Sequence, residues 1–473
     1  MAEIVIVGLG PGDVKHLTLE AWQMLSHAKE IWLRTAHHPV VTALPEHLTL
    51  HSFDALYEQA GTFEEIYATI AERVVALARE PGCDSLIYAV PGHPLMGEST
   101  VTGILARARE VALDVRVVAG LSFVEPLLTA LEIDALNGLQ VVDALDIITR
   151  YHPPLNPDTP ALIAQVYSRA VASDLKLVLM NQYPDEHQVA LVDAAGNAAQ
   201  TVTWLPLYQI DWHEATPLTS LYLPPLSPVS SFEGLQDTVA HLRSPEGCPW
   251  DREQTPATLR ACLLEEAYEV LAAIDAEDTG ALQEELGDLL MQVVMLVQLS
   301  VELGDFRMND VIAGIDTKLK RRHPHVWGEV TVADVDAVLQ QWEVLKREER
   351  DHQGDAESSL LAGIPQALPA LAQASEYYRR MARVGLTGDI LAGPVSEVVE
   401  RIAPQDEAAL GELLFACVRW ACQHDLDPES ALRALNHRFA RRVQALIVAA
   451  GRQGKALGDL SPDELAHLWS EQR

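Results

Sequence analysis

The stretch LRACLLEEAYEVLAAI (259–274), followed by LQEELGDLLMQVVMLVQLSVEL (282–303), decides the fold of the C-terminal half. Apolar residues recur at helical spacing in both, which predicts two amphipathic helices joined by a short turn. Glu266 and Glu269 are three apart, and so are Glu285 and Asp288. That spacing puts each pair on one helix face. Leu263, Leu264, Tyr268, Val270, Leu286, Leu289 and Leu290 are expected to point the helices at a core, with the acids at or near the packed face. Crowded carboxylates repel one another and are costly to bury unpaired. A hard divalent cation removes that cost, and magnesium fits best because it combines few carboxylates with substrate phosphates. For either pair alone, the competing reading is a solvated acidic helix surface.

Downstream lies KLKRRHPHVWG (318–328), a dense basic cluster with two histidines. Lys318 and Arg322 share a helix face, and both residue types are natural phosphate ligands. Trp342 and Lys346 are again four apart, able to hold a base and a phosphate or simply to pack and solvate. His323 and His325 make a poor metal pair because Pro324 separates them off helical spacing. The cluster stands out because the chain as a whole carries a net charge of −34. A surface this acidic disfavours nucleic acid, and a nucleotide enzyme with such a charge needs bound metal and local basic groups.

The segments CPWDREQTPATLRACLLEEAYEVLAAI (248–274), EELGDLLMQVV (284–294), KLKRRHPHVWG and WEVLKREER (342–350) occur in the order seen in the MazG family of nucleoside triphosphate pyrophosphohydrolases, which the chain resembles over nearly all of 235–350. The resemblance implies an all-α, magnesium-dependent domain acting on nucleoside triphosphates. It makes Glu266, Glu269, Glu285 and Asp288 metal ligands, with Glu265 and Glu284 as nearby support and Glu265 a candidate to orient or deprotonate water. Lys318 and Arg322 would hold phosphates, and Trp342 and Lys346 would complete the nucleotide site. It also implies attack at the α-phosphorus with release of pyrophosphate. Pro256 departs from the family, which usually carries His there.

A second, diverged copy follows. LGDLLMQVV (286–294) matches LGELLFACV (410–418), TKLKRR (317–322) matches HRFARR (437–442), and Trp342 with Lys346 matches Trp469 with Arg473. The opening SLLAGIPQALPALAQASEYYRRMARVGL (359–386) resembles the bridge between two MazG copies. Glu397 and Glu400 keep one acid pair, but Ala409 replaces Glu285 while Glu412 replaces Asp288. With a ligand lost, this copy is expected to be structural, although Arg438, Arg442, Trp469 and Arg473 would still permit nucleotide binding. Two copies suggest a helical bundle formed within the chain or in a homodimer.

Residues 1–225 alternate β-branched runs with helical stretches, an α/β pattern. EIVIVGLG (3–10), SLIYAV (85–90), VRVVAG (115–120) and LKLVLM (175–180) read as buried strands. GLGPGD (8–13), AVPGHPLMGEST (89–100) and VAGLSFVEPL (118–127) are Gly-bearing loops after strands, expected to line one cleft where a ligand approaches the backbone. The first is neither a dinucleotide fingerprint nor a P-loop, since Asp13 stands at the third Gly position and no GK[ST] follows. With LRTAHHPVV (33–41) and FDALYE (53–58), these loops resemble the tetrapyrrole-methylase superfamily, nearest its YabN-type branch. That implies two α/β subdomains with S-adenosylmethionine between them. Gly8, Gly10 and Pro11 match the first loop, Gly92, His93 and Pro94 the second, and Ser122 and Phe123 the third. His93 replaces the Asp of the GDP common among tetrapyrrole methylases, so the acceptor need not be a tetrapyrrole.

The expected organisation is multi-domain: a methylase-like α/β domain at 1–225, a linker at 226–232 in the Pro-rich LYLPPLSPVSS (221–231), and a MazG domain at 233–350. A linker at 351–358 and a degenerate MazG-like helical domain at 359–473 complete it. The five cysteines form no CxxC pair and are expected to be reduced. No apolar run of membrane-spanning length is expected, and the N-terminus lacks a signal peptide's basic region, so a cytoplasmic enzyme is expected. Two other readings remain: a nucleotide- or S-adenosylmethionine-sensing regulator, and a tetrapyrrole methyltransferase with a helical oligomerisation tail.

Overall fold

The computed structural model describes residues 3–58 and 62–335, then 337–338, 341–342, 345, 364–365, 368–383, 395, 407–453, 455, 460–461, 464 and 467–468. The chain divides into two compact units, Met1–Arg252 and Glu253–Arg473.

The first unit holds two five-stranded sheets among the described residues. The first contains β1 (Glu3–Gly8), β2 (Glu30–Leu33), β3 (Thr49–Ser52), β4 (Ser85–Val90) and β5 (Asp114–Val118), in the order β3-β2-β4-β1-β5. All its pairings are parallel. Strands buried on both faces read as continuous apolar runs, and β1 shows why. Ile4 and Ile6 join a cluster with Ile70, Val74 and Ile104, while Val5 and Val7 join another with Leu25 and Ile31.

The second sheet contains β6 (Gln140–Asp143), β7 (Ala161–Ala164), β8 (Gln188–Asp193), β9 (Thr201–Pro206) and β10 (Ser220–Leu223), ordered β6-β7-β10-β8-β9. It is mixed: β6 and β7 are parallel, and the other pairings are antiparallel. LKLVLM is not one of its strands. It lies in the helix Arg169–Leu179, capped by Ser168, whose side chain accepts from the Val171 amide. Val171, Ala172, Leu175, Val178 and Leu179 are buried at helical spacing, Leu177 faces solvent, and Lys176 pairs with Asp211 at 2.6 Å. The Pro-rich stretch runs directly into a helix, Phe232–Leu242.

The second unit is helical among the described residues. Leu259–Asp275 and Thr279–Leu303 form a hairpin whose turn places Glu277 at φ 54°. Asp278 caps the second helix by accepting from the amides of Gly280 and Ala281 at 3.0 and 3.1 Å. Gly304, at φ 78°, ends it. Met308–Arg322, Ala370–Arg383, Glu407–Gln423 and Pro428–Arg452 follow.

Two expectations need correction here. Leu264, Leu286 and Leu290 are 53%, 48% and 41% exposed, so they do not face a core among the described residues. Burial begins deeper along the second helix, at Val294, Met295, Val297 and Leu299. Thr279–Leu303 is also long and apolar enough to cross a membrane, with a mean hydropathy of 1.6. Its N-terminal part, however, carries Glu284, Glu285 and Asp288 and packs against the preceding helix.

Candidate functional site

The helical hairpin lays the two acidic faces against each other. One carboxylate oxygen each from Glu266, Glu285 and Asp288 falls within 4.8 Å of the others. Glu269 stands outside that trio, but its charge acts on both Glu266 and Glu285. Partial burial, then the negative charges of Asp288 and Glu269, push the Glu266 carboxyl above its ordinary range. Glu285 is pushed up by the loss of hydration and by Glu269, Glu284 and its other acidic neighbours. Glu265, next in sequence to Glu266, is exposed.

Gln292, one turn beyond Asp288, is a residue the sequence reading passed over. It is buried, its Nε2 lies 3.5 Å from Glu266 Oε1, and its Oε1 has no hydrogen-bond partner among the described residues. Three convergent carboxylates and an orphaned amide oxygen form a hard oxygen donor set. That set fits a magnesium ion.

The basic residues lie elsewhere in the chain. Met308–Arg322 is exposed along almost its whole length, with Met308 alone buried, and it does not pack along either carboxylate helix. Lys318 is exposed and makes no ion pair with the acids among the described residues, while Arg322 sits 5.8 Å from the Trp342 ring. His323 lies 6.3 Å from Trp342, 6.0 Å from Trp327 and 5.6 Å from His325 between ring centroids. Lys346 is outside the described residues.

In the second, diverged copy, LGELLFACV lies within Glu407–Gln423, and Glu412 is exposed. HRFARR lies within Pro428–Arg452, with Arg438 exposed. Arg433, on the same helix, stands 5.5 Å from the Tyr268 ring and 4.0 Å from Asp275, touching the first carboxylate helix. Glu397, Glu400, Trp469 and Arg473 are outside the described residues, as is the side chain of Arg442.

In the first unit the glycines do something other than admit a ligand. A Cβ on Gly8 would fall 2.6 Å from the Gly120 nitrogen and from the Gly92 oxygen. Gly10 and Gly92 form a two-way backbone bridge, Gly92 N to Gly10 O at 2.8 Å and Gly10 N to Gly92 O at 3.2 Å. The three loops are thus packed backbone to backbone, and residues from each of them line a cleft of about 420 Å³. Pro11 and Phe123 line it. His93 Nδ1 accepts from the Leu95 amide, Pro94 is buried, and Ser122 donates to Glu125 at 2.6 Å, so these are spent on local turns. The remaining lining includes Arg34, Tyr67, Asp143, Gln165, Asn197 and Thr219. Except for Arg34, which lies in LRTAHHPVV, no sequence motif marked them. Cleft size and mixed lining fit a small-molecule cofactor.

Two family descriptions match the chain: tetrapyrrole (corrin/porphyrin) methylases over residues 3–211, and the MazG nucleotide pyrophosphohydrolase domain over residues 254–327. The uncharacterized protein YabN of Bacillus subtilis (strain 168) is 36% identical over 492 residues, covering 99% of this chain and 98% of that protein. A nucleoside triphosphate pyrophosphohydrolase of Escherichia coli (strain K12) is 38% identical over 257 residues, covering 51% of this chain and 97% of that protein. Among solved structures, uroporphyrin-III-C-methyltransferase from Thermus thermophilus covers 47% of this chain and 92% of its own, at 22% identity and a TM-score of 0.37.

Proposed function

The chain belongs to the family of Bacillus subtilis YabN, with a tetrapyrrole-methylase-like half followed by a MazG-type half, and on that premise we propose that its helical half hydrolyses nucleoside triphosphates to monophosphate and pyrophosphate. The observation that carries this reading is the convergence of Glu266, Glu285 and Asp288 within 4.8 Å.

In this reading Glu266, Glu269, Glu285 and Asp288 hold magnesium, which supplies charge neutralisation of the polyphosphate and acidifies water. Gln292 steadies Glu266. Lys318 and Arg322 hold phosphates, Trp342 stacks on the base, and Lys346 completes the site. Glu265, exposed and next in sequence to Glu266, takes the proton of the attacking water. The water oxygen bonds to the α-phosphorus, the α–β bridging bond breaks, and its electron pair leaves with pyrophosphate. The hydrolase occupies 233–350, and the 359–473 copy is structural.

The separation of Lys318 and Arg322 from the acids supports a dimer. Leu264, Leu286 and Leu290 are exposed, and so are Leu410 (49%) and Leu414 (48%), which stand at the matching positions of the second copy. Large exposed apolar surfaces mark contacts. A second copy laid on them would cover both faces and could bring its basic helix over the carboxylates. The same separation is the one observation favouring the other reading, a nucleotide sensor without turnover.

The first half, 1–225, binds S-adenosylmethionine in its cleft and transfers a methyl group, in this reading, with Gly8, Gly10 and Gly92 packing its loops together and Pro11 and Phe123 touching the cofactor. A nucleotide substrate places the protein in the cytoplasm. A panel of nucleoside triphosphates with magnesium, scored for pyrophosphate against phosphate, tests the hydrolase. Glu269→Ala and Asp288→Ala should abolish pyrophosphate release, and full activity in both would refute the assigned site.

A further inference from the structure

Arg34 follows the C-terminal end of β2, where the strands of a parallel sheet face a ligand cleft. Its side chain is 23% exposed, lines the cleft, and has Nε 3.1 Å from Glu98 Oε2. Glu98 is 4% exposed and fully engaged: its other oxygen accepts from Thr100 Oγ1 at 2.7 Å, and that hydroxyl meets Tyr88 OH at 2.9 Å. Tyr57 and Tyr67 lie beside the guanidinium. Burying such an ion pair contributes little to folding, because desolvation consumes most of the attraction. An apolar pair would fill this space at less cost. What the pair achieves is a fixed cation at the cleft wall. Arginine carries five donors in a planar fork and stays charged. The guanidinium lines the cleft, so the donors not taken up by Glu98, Tyr57 and Tyr67 can meet a carboxylate or phosphate there.

We propose that Arg34 receives an oxyanion, carboxylate or phosphate, carried by the molecule that accepts the methyl group in this cleft, and that Glu98 is the positioning residue that aims the guanidinium. The word acceptor rests on the methyl-transfer reading above, whereas the oxyanion site stands on geometry alone and is tested separately.

Met96 lines the same cleft, so its methyl group reports binding there. The full-length protein, labelled with carbon-13 at the methionine methyls, is titrated with inorganic phosphate and, separately, with acetate, in EDTA so that the carboxylate helices recruit no metal-bound anion. The Met96 resonance should shift saturably with at least one of them, and the more strongly acting ion identifies the acceptor's group. Arg34→Gln should weaken that binding about 10- to 100-fold, the scale of a lost charge-assisted hydrogen bond. Glu98→Gln keeps the shape but loses the charged contact that aims the fork, and should weaken anion binding by less than Arg34→Gln does. A merely structural pair would instead give two variants that behave alike. S-adenosylhomocysteine is titrated into the same proteins. It should bind wild type and Arg34→Gln equally; equal weakening of this ligand and the anion would make the oxyanion the cofactor's own carboxylate and overturn the proposal. No saturable Met96 shift, or an unchanged one in Arg34→Gln, also overturns it. If S-adenosylhomocysteine fails to bind the wild type while the anion behaves as expected, the methyl-transfer reading falls and the oxyanion site survives.

Discussion

Glu266→Gln should raise the metal-free stability of the helical unit while removing most of its response to magnesium. The ligand oxygens of Glu266, Glu285 and Asp288 lie within 4.8 Å of one another. Two unit charges at such a separation repel by about 1 kcal/mol in water, and salt weakens that further. Glutamine keeps the shape and deletes the charge, so each neighbouring carboxylate relieved adds at most about 2–4 °C to the metal-free melting temperature for a unit of this size. The sign depends on pH. The Glu266 carboxyl is raised in the folded state, by partial burial and then by Asp288 and Glu269, so the folded state keeps this proton to higher pH than the unfolded chain does. The penalty is absent below the ordinary glutamate pKa, grows as pH rises toward the raised value, and is complete above it. Magnesium reverses the ranking. At about 100 times its dissociation constant, an ion that binds only the folded state adds roughly 2.7 kcal/mol, or about 5–10 °C. Calorimetry of the full chain with EDTA and with magnesium, at acid and at neutral pH, reads both effects. The reasoning is refuted if the variant is the less stable protein without metal at neutral pH, or if it keeps the wild-type magnesium shift.

Gly8→Ala puts a Cβ 2.6 Å from two backbone atoms that cannot swing aside, and should cost the first unit about 1–3 kcal/mol; urea unfolding followed by the first unit's tryptophans measures it. Burial pulls the His38 imidazole from 6.5 down to about 4. Between those values the unfolded chain binds a proton that the folded one refuses, so stability from His38 is full above 6.5 and is lost as pH falls toward 4. An NMR titration showing His38 protonated near neutrality would contradict this. Lys318→Ala should lower kcat/KM for nucleoside triphosphates about tenfold or more, as the loss of a charged hydrogen bond to phosphate. Trp342→Ala should mainly raise KM; unchanged steady-state kinetics in both would remove them from the site.

What the sequence made legible follows from how locally each feature is encoded. β1 and β4 are buried on both faces, so their apolar runs announce them. LKLVLM has the same letters, but short apolar runs do not separate strand from helix. What distinguishes it is the Ser168 cap and the Lys176 partner Asp211, far away in the chain. The short strands of the second sheet carry little pattern, and the cleft residues Asp143, Gln165, Asn197 and Thr219 come from separate segments that only the fold assembles. The carboxylate pairs were visible because helical spacing fixes their face. Gln292 was hidden in a run that reads as core. Hydrophobic spacing also identified Leu286 and Leu290 as a packing face, but spacing does not say whether the partner lies in the same chain.

The proposed hydrolysis has the Glu266, Glu269, Glu285 and Asp288 framework direct water to the α-phosphorus of a nucleoside triphosphate. Hydrolysis in water enriched in oxygen-18, with both products weighed by mass spectrometry, tests it most directly. The account requires one heavy oxygen in the nucleoside monophosphate and none in the pyrophosphate. Label in pyrophosphate, or release of phosphate in place of pyrophosphate, would contradict it.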